Sequence, residues 1–167
     1  MRLHQLEYII KSPIPFYMKP VLIIATFIAC SLAASAQTTE DSVKAAVKLL
    51  FDGMLSSDGV KLQNAFADSA VLQTISNSKE GKLVIKNESV AAFAASISKL
   101  PKGAADERIQ FETIKIDGPL ASVWTPYKFY YNGQFSHCGV DSYQLVRING
   151  TWKIQYLIDT RRKQPCE

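Results

Sequence analysis

Histidine is scarce in this chain, with two residues, His4 and His137, among 167. A tetrahedral metal site takes at least three converging ligands. His4 lies in a segment expected to be removed, so the sequence offers no zinc set and calls for no cofactor. Charge of one sign is also lacking. Of 19 Lys+Arg and 15 Asp+Glu, only Arg2, Lys11, Lys19 and Glu7 precede residue 37, which leaves a net charge of +2 for the rest. Most of that excess sits in the tail "DTRRK", and no basic stripe is interleaved with aromatics, which argues against nucleic acid as a partner. Low-complexity tracts and internal repeats are absent, and the length allows one domain. The apolar run within "MKPVLIIATFIACSLAASAQ", which starts at Met18, is too short and too poorly flanked for a membrane span.

That run has a short basic start and a small-x-small site, Ala34-Ser35-Ala36, before Gln37, the pattern of a secretory signal peptide. The expectation is a true start at Met18, with residues 1–17 an upstream extension, and cleavage after Ala36. A single domain then runs from 37 to 167 in the periplasm or outside the cell, with membrane contact only through the export signal. "FIAC" offers a minor alternative, a lipoprotein anchored at Cys30, but Phe27 suits that box poorly and "ASAQ" is the better site.

After residue 37 the spacing predicts a helix over 39–55, with Val43, Val47, Leu50, Phe51 and Met54 along one face and Thr39 as its cap. "SSDG" breaks it, and a short helix follows over about 59–66. "AVLQTIS" and "KLVIK" read as a hairpin around "NSKEG". Asn87 can cap a third helix, "ESVAAFAASISKL", which Pro101 ends before the loop "PKGAADE". The remainder is strand: "RIQFETIKI", then 120–131, 134–148 and 151–162, joined by Asn132-Gly133 and Asn149-Gly150. Asparagine and glycine tolerate the positive φ that two-residue hairpin turns need. Three helices packed on one face of a curved antiparallel sheet make an α+β domain.

"VKAAVKLLFDGMLSSDGVKLQNAFADSAVL" and the closing "GTWKIQYLIDTRR" resemble the opening helices and last strand of the nuclear-transport-factor-2-like superfamily. The flavour is similar to its exported bacterial SnoaL-like and lumazine-binding-like members. The resemblance covers nearly the whole chain after residue 37. It implies a cone-shaped, cystatin-like roll with a cavity between helices and sheet, and a homodimer through the sheet's outer face. Fold similarity in so mixed a superfamily does not name a chemistry.

The two Asn-Gly turns predict a register. Counting from Ile148 opposite Thr151 and Tyr131 opposite Gln134, Tyr143 faces Tyr156 and Ser122, Asp141 faces Ile158 and Trp124, and Cys138 faces Arg161. His137, Asp141, Tyr143 and Leu145 then share the helix-facing side with Trp124, Tyr156 and Ile158, while Cys138, Val140, Ser142 and Gln144 point away. A bulge would shift these pairs. His137 and Asp141 stand roughly 13 Å apart along the strand, too far for a histidine–carboxylate pair. Neighbouring His137 and Cys138 point to opposite faces.

The reading is a pocket walled by Trp124, Tyr143, Tyr156 and Ile158, with Asp141 and His137 as its polar groups, for an apolar or aromatic small molecule. Related enzymes of this fold use a pocket aspartate or histidine to move a proton. This implies an alternative function, an isomerase, dehydratase or cyclase with Asp141 as acid/base, aided by His137 and Tyr143. The plainer alternative has Asp141 accepting hydrogen bonds and only shaping the sheet. A further alternative is a non-catalytic dimeric accessory domain with a filled core. Cys138 and Cys166 are the cysteines left after export, and a tail turning back at Gln164-Pro165 would bring them together as a disulfide. Asp159 and Arg161 alternate onto one face near the strand end, with Arg162 on the other. One reading has Arg161 or Arg162 anchoring an anionic ligand group at the pocket rim; the reading preferred is an exposed ion pair of small consequence.

Overall fold

In a computed structural model, residues 39–166 are described. The Met18 start, the cleavage after Ala36 and the Cys30 anchor lie outside the described residues.

Helix α1 covers residues 39–56, and Thr39 is already helical rather than a cap. Its stripe Val43, Val47, Leu50 and Met54 is buried, each side chain contributing on the order of 1.5–3 kcal/mol. Ser57 takes positive φ, and Asp58 caps α2 (Gly59–Asn64) by accepting from Lys61 N. Strands β1 (Phe66–Asn77) and β2 (Leu83–Glu88) form the expected hairpin. Helix α3 (Val90–Ile97) is capped by Ser89, not Asn87, which β2 absorbs. α3 also stops short of Pro101, at Ser98.

Five strands follow rather than four. "RIQFETIKI" divides into β3 (Ala105–Ile109) and β4 (Thr113–Asp117), both antiparallel to β5 (Leu120–Tyr131). Three residues, 110–112, oppose Thr125 and Pro126 there. Gln110 N donates to Pro126 O, so Pro126 turns toward that edge a backbone nitrogen without hydrogen, and the ladder breaks. β3 also starts inside the stretch read as loop. β6 (Gln134–Ile148) and β7 (Thr151–Thr160) complete the meander. Both Asn-Gly turns have the positive φ expected of them, Asn132 at 50° and Asn149 at 49°.

The sheet order is β2-β1-β7-β6-β5-β3, with β4 beside β5. Every pairing is antiparallel except β1 with β7, which is parallel, so the sheet is mixed where a wholly antiparallel one was expected. Its inner face packs on the helices through Leu72, Val123, Tyr143, Leu145 and Ile154. At Gly139 the backbone of β6 is approached so closely that a Cβ there would overlap the Thr160 carbonyl and the Tyr127 ring.

Two bulges correct the predicted register. Phe129 pairs with His137 and Tyr130 with Phe135, leaving Ser136 over on β6. Leu145 pairs with Ile154 and Gln144 with Tyr156, leaving Gln155 over on β7. Beyond each bulge the partner strand is displaced by one residue. Tyr143 therefore meets Val123 and Leu157, and Asp141 meets Thr125 and Asp159. Cys138 bridges to Arg162 rather than Arg161.

Candidate functional site

One cavity of about 300 Å³ lies between helices and sheet. Leu50, Phe51 and Met54 of α1, Phe93 and Ile97 of α3, and Leu72, Phe129 and Leu157 of the sheet supply its apolar walls. Its polar lining gathers Glu107, His137, Asp141, Tyr143, Asp159 and Arg161. Asp141, His137 and Tyr143 come together here from the inward row of β6. Trp124, Tyr156 and Ile158 do not line it. The bulges place them on the other sheet face, where Trp124 pairs with Ser142, Ile158 with Ser142 and Tyr156 with Gln144. Trp124 is 45% exposed.

Asp141 is 3% exposed, and its Oδ2 accepts from Tyr143 OH at 2.9 Å and Thr125 Oγ1 at 3.2 Å. Burial pushes its carboxyl up to about 7. The two hydroxyl donors and the Arg161 charge oppose that rise, and the neighbouring Asp159 adds to it. Glu107, on β3, approaches closely enough to hydrogen-bond Asp141. Burial first, then the charges of Asp141 and Asp159, raise Glu107 well above the ordinary carboxylate range. Two carboxyls in hydrogen-bond contact cannot both ionise cheaply, so the pair holds a proton between them.

Tyr127 OH donates to Thr160 O at 2.9 Å and lies 3.2 Å from Asp159 Oδ2. Arg161 Nε donates to Asp159 Oδ2 at 2.8 Å and Nη2 to Thr74 Oγ1 at 3.2 Å. Burial and the nearby carboxylates raise Tyr127 and Tyr143 above the usual phenol range, so both remain neutral donors. Arg161 is half-exposed while Asp159 is nearly enclosed. The pair therefore stands at the cavity's rim rather than on an open surface.

His137 sits among rings, its centroid 5.0 Å from Phe129 and 5.7 Å from Tyr127. Its Nδ1 meets Ser136 Oγ at 3.1 Å. Burial, then the Arg161 charge, lowers its pKa, so it is neutral at pH 7. Among the described residues no hydrogen bond joins it to Asp141, and no group of three His, Cys, Asp or Glu is arranged to hold a metal ion.

Glu107 escaped the sequence reading because "GAADE" looked like loop. The signal was there in "ADERI", where Ala105, Glu107 and Ile109 alternate onto one face and place an acid in an inward slot. On the opposite face Cys138 and Cys166 form a disulfide with Cα atoms 5.9 Å apart. Paired backbone bonds of 2.9 Å between Cys138 and Arg162 hold the tail against β6.

A curved, unclosed mixed sheet with helices from the N-terminal half on one face defines the class: a nuclear-transport-factor-2-like domain with a cystatin-like fold. Solved structures agree. A nuclear-transport-factor-2-like protein of unknown function from Shewanella baltica OS155 matches with TM-score 0.60 at 13% identity, covering 76% of this chain and 96% of its own. A cystatin-like domain of unknown function from Nostoc punctiforme matches with TM-score 0.58 at 18% identity, covering 75% and 78%. A nuclear-transport-factor-2-like protein from Novosphingobium aromaticivorans gives 0.58 at 14%, covering 80% and 90%. No curated protein matches the chain. The family model described as putative lumazine-binding matches residues 38–156, and the chain belongs to that family.

Proposed function

We propose that the chain is an exported small-molecule-binding domain, whose cavity takes an apolar or aromatic molecule and offers hydrogen bonds at one end. The observation that carries this reading is the cavity of about 300 Å³, apolar on most of its wall, with the Glu107–Asp141 pair and the Tyr143 hydroxyl among its lining residues. A few convergent polar groups in an otherwise apolar cavity are what orient a ligand. The family description, putative lumazine-binding, is in keeping with a ring-sized occupant. Export is supported by the Cys138–Cys166 disulfide, which persists in oxidising compartments. No helix among the described residues is long and apolar enough to cross a membrane. Exposed Leu120 and Trp124 of β5 and Ile148 of β6, on the sheet's outer face, support a homodimer through that face.

The test is a fluorescence titration with N-phenyl-1-naphthylamine, a neutral aromatic probe, against the protein and an Ala105→Phe variant. Ala105 lines the cavity and is 1% exposed, so the larger ring occupies ligand space. One saturable site per chain, lost in the variant, is the expected result. Absence of saturable binding, or equal binding by the variant, would sink the proposal.

A second reading has one specific observation behind it. An enclosed carboxyl with a pKa of about 7 facing a cavity is poised to give or take a proton at neutral pH. Asp141 would then be the acid/base of an isomerase- or dehydratase-type reaction, with Tyr143 as donor. Exchange of α-deuterons from a cyclic ketone, lost in Asp141→Asn, is the result this reading requires.

A further inference from the structure

A second cavity, of about 360 Å³, lies beside the first and differs from it in character. Thr74, Ser76, Lys86, Asn87, Glu88 and Arg161 line it, and Thr74, Glu88 and Arg161 also line the main cavity. The two spaces are therefore adjacent, with those three residues bordering both.

Along β1 the cavity-facing row runs Leu72, Thr74, Ser76, opposite Glu88, Lys86 and Val84 of β2. An inward row on a core strand ordinarily stays apolar. This one turns from leucine to hydroxyls within two steps, just where it leaves the apolar cavity. Ser76 Oγ is shielded from solvent and has no hydrogen-bond partner. A shielded hydroxyl without a partner carries a desolvation cost that a ligand can relieve.

Two cations, Lys86 and Arg161, face one carboxylate, Glu88, which stands on the Leu72 row nearest the main cavity. A guanidinium carries five N–H donors. The contacts of Arg161 to Asp159 and Thr74 engage two of its nitrogens and hold its plane in place. Arg161 accounts for the Thr74 hydroxyl, and among the described residues nothing accounts for that of Ser76.

We propose that this polar cavity receives the anionic head of the ligand whose apolar body fills the main one, Lys86 and Arg161 supplying the charge and Ser76 a hydrogen bond. The ligand class is then an apolar or aromatic body carrying a carboxylate, sulfonate or comparable anion. The inference rests on the binding reading above and adds the charge and position of the second group. Arg161 would serve both cavities, fixed by Asp159 on one side and binding the head on the other.

Two dyes separate the parts. N-phenyl-1-naphthylamine and 8-anilinonaphthalene-1-sulfonate share one aromatic body and differ by a sulfonate. The anionic dye is expected to bind about tenfold more tightly at low salt, with the preference shrinking as salt is added. Lys86 is exposed on the edge strand β2, and among the described residues its side chain makes no hydrogen bond or ion pair. Lys86→Gln is expected to weaken the anionic dye about fivefold and leave the neutral one within about twofold, and Lys86→Glu to abolish the preference. Ser76→Ala is expected to weaken only the anionic dye, about threefold. Equal affinity for the two dyes, or a preference unmoved by both Lys86 changes, overturns the anion site while leaving the apolar cavity standing. Binding of neither dye overturns the cavity reading itself.

Discussion

Replacing Asp141 by Asn removes a carboxyl that the fold keeps protonated well above the ordinary range. From 3.8 in the unfolded chain to about 7 in the fold is about three decades in proton affinity, at 1.36 kcal/mol each, or about 4 kcal/mol in all. The folded state binds this proton more tightly than the unfolded one. Its contribution to stability is therefore whole below pH 3.8, declines as pH rises, and is gone above about 7. Asparagine does not titrate. Its amide oxygen can still accept from Tyr143 and Thr125, and its NH₂ can donate to Glu107, which loses a neighbouring charge. The Asn variant is thus expected to gain on the parent by about 4 kcal/mol between pH 4 and pH 8, near parity at the acid end and ahead at the alkaline end. Urea unfolding across that range, read as midpoints at constant slope, measures the gap. A gap that stays constant within about 1 kcal/mol from pH 4 to 8 would refute the reasoning, since it would mean that Asp141 is not held in its acid form.

Glu107→Gln is expected to show the same sign of pH dependence, and the double variant to gain less than the two singles together, because either change relieves the repulsion between the pair; unfolding of all four proteins supplies the cycle. Reducing the Cys138–Cys166 bond, whose residues are 28 apart in sequence, should lower stability by about 3–4 kcal/mol in the chain-entropy picture. Thiol titration before and after reduction, alongside melting curves, checks both the bond and its effect. Gly139→Ala should prevent native folding or cost more than about 4 kcal/mol, because the added carbon collides with the Thr160 carbonyl; circular dichroism and melting decide it. If the proposed homodimer forms through the outer sheet face, Trp124→Asp converts it to a monomer in light scattering while leaving binding of the neutral dye intact, as Trp124 is not among the cavity's lining residues; a chain that is monomeric before the change overturns the dimer.

How much was legible in advance depended on which physical rule acted locally. The Asn-Gly turns announce themselves, since few residues accept their positive φ, so the meander and its hairpins could be written down from the chain. The inward row of His137, Asp141, Tyr143 and Leu145 follows from alternation along a single strand and needs no partner. Placing Trp124, Tyr156 and Ile158 beside it required counting across strands, and one extra residue reverses every face beyond it. Ser136 and Gln155 have no local signature as bulge residues. They answer to the curvature of the whole sheet. The parallel pairing of β1 with β7 is similarly non-local, joining strands from opposite ends of the domain. Glu107 was hidden for another reason: an acid lowers strand propensity, so an inward acid disguises the strand that carries it. Of the cavity's polar lining, His137, Asp141 and Tyr143 were legible from one strand, and Asp159 and Arg161 were visible as a pair whose place at the cavity was not; Glu107 was missed.

The central claim is that an enclosed, proton-holding carboxyl faces a space that a small molecule enters. The side-chain carboxyl carbon of Asp141, followed by NMR from pH 4 to 9 with and without saturating N-phenyl-1-naphthylamine, tests it most directly. The predicted result is a midpoint near 7 in the free protein, moving upward when the apolar probe displaces water from the cavity. An ordinary carboxylate midpoint near 4, or one indifferent to the probe, would contradict it.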